Sequence, residues 1–380
     1  MAVAQDVEPF EVQIDDDAVA DLRERLARTR WPERETVDDW SQGIPLAYVR
    51  DLCAHWADGY DFGLAGRVNA FPQFRTTLDG LGIHFLHVQS PEPAALPLLL
   101  THGWPGSVVE FLEVLGPLTD PRAHGGDPAD AFHVVAPSLP GYGWSDKPTE
   151  PGWSVERIAR AWDDLMGALG YERYGAQGGD WGASVTTDLA RQRPERLAGI
   201  HVNMPVVGPD RDTLADLTPA EQRTLDDLAD HRAHGMGYSA QQSTRPQTLG
   251  YALTDSPAGQ CAWIAEKFWA WTDNHGRPED AVARDALLDD ISVYWFTATA
   301  ASSARLYWES FTRRSSDAVA VPSGISIFPR EIFRPSRRWA ERRYTDLRWY
   351  EELDRGGHFA ALEQPVSFVE QVRGFFRLVR

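Results

Sequence analysis

The sequence predicts an α/β fold: a mostly parallel sheet with helices on both faces, a helical cap inserted before the last strands, and a helical meander ahead of the first. Three observations predict it. Strand-like and helix-like segments alternate from Gly82 to Pro205, the pattern of right-handed crossovers between parallel strands. Two of the strand segments, "LPLLLTHG" (Leu96 to Gly103) and "FHVVAPSL" (Phe132 to Leu139), are continuous apolar runs, as suits strands covered on both faces. The alternation stops near Val206 and resumes at Val321, so the helical stretch between them interrupts a sheet. Such an insertion caps the carboxyl ends of the strands, where ligands bind in open α/β sheets.

The elements follow in order. "IDDDAVADLRERLARTRWP" starts acidic, carries Val19, Leu22 and Leu26 at helical spacing, and stops at Pro32. "PLAYVRDLCAHWADGYDF" is a second amphipathic helix. Residues 1–92 are therefore read as a helical, acidic segment with loops. "GIHFLHVQ" (Gly82 to Gln89) alternates apolar and polar residues as a half-buried strand does. After the strand at Leu96, "VVEFLEVLGPL" is helical. "SVERIARAWDDLMGALG" is a helix ended by Gly170. "YGAQGGD" ends a strand, "WGASVTTDLARQRP" is a helix closed by Pro194, and "LAGIHVNMP" is another strand. Residues 206–320 are the cap. "VPSGISIFP" (Val321 to Pro329) and "DLRWYEEL" (Asp346 to Leu353) return to strands, so the core comprises residues 93–205 and 321–380.

Composition bounds the function. A length of 380 residues fits one large domain or two ordinary ones, and 43% apolar residues is ordinary for a globular protein. The net charge of −19 argues against a nucleic-acid partner. The basic run "RPSRRWAERRY" (Arg334 to Tyr344) is read as a solvated helix face. Cys53 and Cys261 make no disulfide scaffold and no metal-ligand spacing. Nothing at the N-terminus reads as a signal or anchor, and no stretch is long and apolar enough to span a bilayer. These features predict a cytoplasmic protein with no metal and no cofactor. The 15 Trp residues predict either an aromatic-lined pocket or an aromatic core.

Three motifs carry chemistry. In "GAQGGDWGASV" (Gly175 to Val185) a Gly-rich turn between strand and helix presents Asp180, where a G-x-S-x-G turn would present serine. An aspartate capping an ordinary helix is the plainer reading, but no G-x-S-x-G occurs elsewhere in the chain. "THGWPGSVVEF" (Thr101 to Phe111) follows a buried strand, at the position whose loop supplies an oxyanion N–H in α/β-hydrolases. It nominates the backbone N–H groups of Trp104 and Trp181; a strand-end turn around a buried His102 is the alternative. "DRGGHFAALEQP" (Asp354 to Pro365) sets His358 in a Gly loop before a helix. The order Asp180, acid, His358 is that of α/β-hydrolase triads. Candidate orienting acids are Asp317, Glu331, Asp346 and Asp354, and Glu331, just past a strand, fits best.

A carboxylate nucleophile displaces a leaving group from carbon and leaves an alkyl ester, which water activated by His358 then cleaves. That chemistry suits epoxides or alkyl halides. Epoxide opening also needs an acid, which a tyrosine hydroxyl supplies.

Together "HGWPGS", "PSLPGYGWSDKP", "GGDWGA", "YSAQQSTRPQTLGYAL", "ARLYWES", "SIFPREIF" and "RGGHFAALEQP" resemble the microsomal-type and fungal epoxide hydrolases, in the same order and over nearly the whole chain. The resemblance implies the α/β-hydrolase fold, with the first 92 residues as that family's N-terminal meander. It implies Asp180 as nucleophile, His358 as base and Glu331 as orienting acid. Tyr238 and Tyr307 match the two cap tyrosines that bind and protonate the epoxide oxygen; Tyr294 is the fallback for the second. The relatives suggest a homodimer. The resemblance to the membrane-bound members is not carried to membrane attachment. Two other classes share some of these features: a haloalkane dehalogenase with the same nucleophile, and an inactive hydrolase-like binding protein. The Trp-rich capped site suits a bulky aromatic or polycyclic epoxide, either a xenobiotic to be detoxified or a biosynthetic intermediate.

Overall fold

The computed structural model describes residues 7–312 and 315–380; the reading of the first six residues as neither signal nor anchor lies outside them. Among the described residues nine strands form one sheet: β1 (Glu8–Pro9), β2 (Gln73–Leu78), β3 (Leu81–Val88), β4 (Leu96–Thr101), β5 (Phe132–Pro137), β6 (Tyr174–Gly178), β7 (Leu197–Val202), β8 (Ser323–Ile327) and β9 (Leu347–Glu352). Their spatial order is β1-β2-β3-β5-β4-β6-β7-β8-β9. From β5 to β9 every pairing is parallel. β1, β2 and β3 are antiparallel and join the rest through β3 and β5.

The apolar runs are strands covered on both faces, as their composition requires. Leu99, Val135, Ala176 and Ile200 pack on one side with Ile158, Trp162 and Leu165 of the helix Val155–Ala168. Leu98, Leu100, Val134 and Ala136 pack on the other with Leu115 and Leu118, and with Val372 and Phe375 of the helix Pro365–Phe376.

The reading of residues 1–92 as helical needs a correction, because β1 and β2 lie within them. β2 hid its period because two polar residues, Gln73 and Thr76, point inward. Gln73 is satisfied there by His84 Nε2, at 2.9 Å, and by Asn69. A hairpin signal was nevertheless present: Asp79 and Gly80 both take positive φ, 48° and 80°, the Asp-Gly turn that matches strand twist.

The meander braces the insertion between β7 and β8. Helix Asp16–Ala27 reaches Asp255 through Arg25, Trp40 stacks on Trp269 with centroids 4.7 Å apart, and Trp56 donates to Ser292 at 3.0 Å. Tyr60 and Arg67 both bond Asp289. On the opposite side the basic run is not simply a solvated face. Arg334, Arg338 and Arg342 pair with Asp227, Glu221 and Asp210 of the insertion. Among the described residues no helix is long and apolar enough to cross a membrane.

Candidate active site

Asp180 stands at the first position of the helix Asp180–Gln192, directly after β6. Its φ is +47°, a left-handed conformation that side chains other than glycine adopt at a cost of order 1–3 kcal/mol. The turn can close this tightly because its flanks carry no side chains: a Cβ on Gly182 would overlap the Thr101 carbonyl of β4, and one on Gly178 the Gly182 carbonyl. The strain aims the carboxyl at the loop after β4. There the Trp104 N–H donates to Asp180 Oδ1 at 2.7 Å, and the Trp181 amide faces the same carboxylate. The Trp104–Pro105 bond is cis.

His358 lies on the loop after β9. Its Nε2 is 3.6 Å from Asp180 Oδ2, and its Nδ1 is 2.8 Å from Glu331 Oε1. Glu331 follows β8. A parallel bridge between Arg330 and Gly357 ties the acid loop to the histidine loop, and Glu363 braces the latter by accepting from the Phe359 and Asp273 amides. The other candidate acids are elsewhere: Asp317 pairs with Arg191, Asp346 with Arg348, and Asp354 is exposed.

Burial alone would depress the His358 imidazole. The carboxylates of Glu331, Asp180 and Glu110 outweigh it and hold the ring up at about 9. Burial raises the Asp180 carboxyl, opposed by the His358 cation and by the Trp104 and Trp181 amides. Each of the two groups thus favours the charged form of the other.

Tyr238 and Tyr307 come from the insertion and line, with Asp180, a cavity of about 180 Å3. The rings form one cluster: Trp104 stacks on Tyr238 at 5.1 Å, and Trp181 meets Tyr307 edge-on at 4.8 Å. Burial holds the Tyr307 phenol well above its usual range. Tyr294, the fallback, is not in this cavity; its hydroxyl donates to the Gly106 carbonyl at 2.9 Å. Met204, Leu228, Phe311, Ile332 and Phe333 make the remaining wall largely apolar. A wider groove of about 1340 Å3, holding Trp40, Trp263 and Trp269, shares His231, Tyr238 and Ile332 with the cavity and offers its approach from solvent. Tryptophan therefore serves both roles, since Trp56, Trp162 and Trp339 are fully buried elsewhere.

His102 proves structural: its Nε2 accepts from the Leu139 amide, and burial lowers it to about 4. Two groups near the site carried no sequence signal. Lys267 Nζ sits 4.5 Å from the Tyr238 ring centroid, within range of a cation–π attraction. Glu110 lines a second, smaller cavity beside Asp180 and His358. Among the described residues no group of three or more His, Cys, Asp or Glu side chains has the arrangement of a metal site.

The family model described as "Epoxide hydrolase N terminus" matches residues 7–111, and that for the alpha/beta hydrolase fold matches residues 97–279. A Stigmatella aurantiaca protein named "Putative epoxide hydrolase" is 56% identical over 98% of this chain and 86% of its own length. The chain belongs to the epoxide hydrolases of the α/β-hydrolase fold. Epoxide hydrolase 1 of Sus scrofa is 34% identical, with 100% of this chain and 90% of that one covered. The solved epoxide hydrolase of Aspergillus niger superposes with a TM-score of 0.90 at 30% identity, over 99% of this chain and 97% of that one. This epoxide hydrolase thus converts an epoxide and water to a diol.

Proposed function

We propose that this epoxide hydrolase works in two steps through an ester on Asp180. The observation that carries the reading is the division of labour between the two oxygens of that carboxylate. Oδ1 is held by the Trp104 N–H, and Oδ2 stands free of that clamp, 3.6 Å from His358 Nε2. Oδ2 attacks an epoxide carbon and the carbon–oxygen bond of the ring breaks. A hydroxyl of Tyr238 or Tyr307 gives its proton to the departing oxygen. Asp180 is then a neutral ester, so the charge that helped hold His358 protonated is gone, and His358 passes its proton to the tyrosinate, which restores the tyrosine.

Neutral His358 takes a proton from water, whose oxygen bonds to the Asp180 carbonyl carbon. The Trp104 and Trp181 amides receive the oxyanion. Collapse breaks the bond from that carbon to the alkyl oxygen, which collects the proton from His358. The proton left on the regenerated Asp180 carboxyl returns to His358, which restores the starting pair. Glu331 keeps the imidazole oriented throughout.

A single turnover in 18O-labelled water tests this route. The first diol should carry unlabelled oxygen from Asp180, and a peptide containing Asp180 should gain one 18O. Label in the diol with none in Asp180 would mean direct attack by water.

The tyrosine roles have their own expected result. General acids contribute about 10²- to 10⁴-fold. Tyr238→Phe and Tyr307→Phe should each slow ester formation, and the double change should slow it by about that full factor. Stopped-flow alkylation rates check this; wild-type rates in the double variant overturn it.

The apolar cavity wall favours a bulky aromatic or otherwise apolar epoxide. The relative from Bombyx mori is named a juvenile hormone epoxide hydrolase, which accords with an apolar substrate. A screen of styrene-oxide-like and aliphatic epoxides beside haloalkanes, scored for diol against halide, tests the preference. A cytoplasmic location and a homodimer complete this reading, and fractionation and sedimentation test them. Whether the substrate is a xenobiotic or a biosynthetic intermediate is decided by which epoxides the screen ranks first.

A further inference from the structure

Two cavities meet at Asp180. One, under Tyr238 and Tyr307, holds neither His358 nor Glu110 in its wall. The other has Gly106, Glu110, Gln177, Asn203 and His358 in its wall with Asp180, and neither tyrosine. Among the described residues Asp180 alone lines both. The acids for ring opening and the base for hydrolysis therefore approach the carboxyl from separate compartments.

The second compartment is small. The centre of a water molecule can range over about 20 Å3 there, which is room for one water. A water held in protein needs two to four polar partners. Asp180, His358 and Glu110 bring a carboxyl, an imidazole and a second carboxyl to this wall.

Glu110 is built into that position. It belongs to the short helical turn Val108–Phe111 that follows β4 and Ser107. The Ser107 hydroxyl donates to Asp290 at 2.7 Å, and its oxygen caps the Val109 amide. These contacts pin the turn to the helix Arg284–Phe296. A Cβ on Gly106 would fall on the Glu110 carboxyl oxygen, so glycine there cedes its side-chain space to the carboxyl. Burial, with Asp290 adding to it, raises this carboxyl well above the ordinary range, and it in turn helps hold the His358 proton.

We propose that Glu110 is the positioning residue for the hydrolytic water. Its carboxyl oxygen accepts one hydrogen of the water while His358 Nε2 accepts the other, which aims the water oxygen at the Asp180 carbonyl carbon. The bonds made and broken are those of the ester hydrolysis above; Glu110 holds the water and does not touch the epoxide. This inference rests on the aspartyl-ester reading and adds a residue to its second step only.

The test separates the two steps by rapid-quench kinetics, reading ester formation and ester decay. Glu110→Val should leave ester formation within about twofold of wild type and slow its decay by about 10- to 100-fold, the cost of a mispositioned reactant. Glu110→Gln keeps the length and an accepting oxygen and should restore most of the decay rate. Glu110→Asp keeps a carboxyl but withdraws it by one methylene. It should slow decay more than Glu110→Gln does, and it serves if the valine variant does not fold. Unchanged decay in Glu110→Val, or parallel loss of both steps in Glu110→Asp, overturns the proposal. If His358→Gln forms no ester at all, the ester reading itself fails. If it does form one and Glu110→Val or Glu110→Asp hydrolyses it at the wild-type rate, only the role of Glu110 fails.

Discussion

Replacing Asp180 with alanine should abolish diol formation, with turnover falling by about 10⁴-fold or more, as for other removed nucleophiles. The neighbouring ionisable groups are otherwise placed. His358 and Glu331 are committed to each other, 2.8 Å apart. Glu110 lies in a wall that the tyrosine cavity does not share. The loss should be chemical and not structural, because alanine relieves a buried carboxyl whose charged form burial disfavours. A left-handed alanine keeps the strain at φ +47°, so stability should change by no more than about 1–3 kcal/mol. Product assays together with thermal denaturation check both halves. Appreciable residual turnover in a folded variant would place the nucleophile elsewhere.

His358→Gln should have the second large effect, of a different kind. In the proposed route only ester hydrolysis needs the base, so the variant should still consume one equivalent of epoxide per site and then stall. Intact-protein mass spectrometry should find the enzyme heavier by one substrate. Glutamine suits the test because it preserves much of the volume and can still bond Glu331. The burst should also change its pH dependence. In the native site the His358 cation lowers the Asp180 carboxyl against the upward push of burial. Without that cation the carboxyl rises further, so the acid limb of the burst rate should shift to higher pH. A burst whose acid limb does not move, or moves down, contradicts this electrostatic account. A protein with no adduct contradicts the mechanism.

Much of the site was legible because each part is local to one strand end. The Gly-rich turn, the His-Gly-Trp-Pro loop and the Gly-Gly-His loop each state their backbone geometry in a few consecutive residues. The structure brings all three together, with Glu331 and not Asp317, Asp346 or Asp354 beside His358. Tyr294 was a reasonable second candidate from sequence position. Its hydroxyl proves to be spent on a backbone carbonyl, a fact that no periodicity contains. Glu110 escaped notice because, inside "VVEFLEVLGPL", it reads as a polar residue on a helix face. The packing of that turn against Asp290 and the space above Gly106 give it its place.

The sequence by itself determined the α/β fold, the inserted helices and the aspartate at the turn, because apolar runs, glycines and prolines act through neighbours in the chain. Only the tertiary structure decided what depends on distant segments. It made β1 and β2 part of the sheet, where Gln73 finds His84 and so tolerates burial. It turned a basic run into clamps on the insertion. It also set Asp180 between two compartments, one walled by tyrosines and one by a glutamate and a histidine. Hydrogen bonds between buried polar groups are satisfied by whatever the fold brings within reach, and a sequence read along its length does not state that reach.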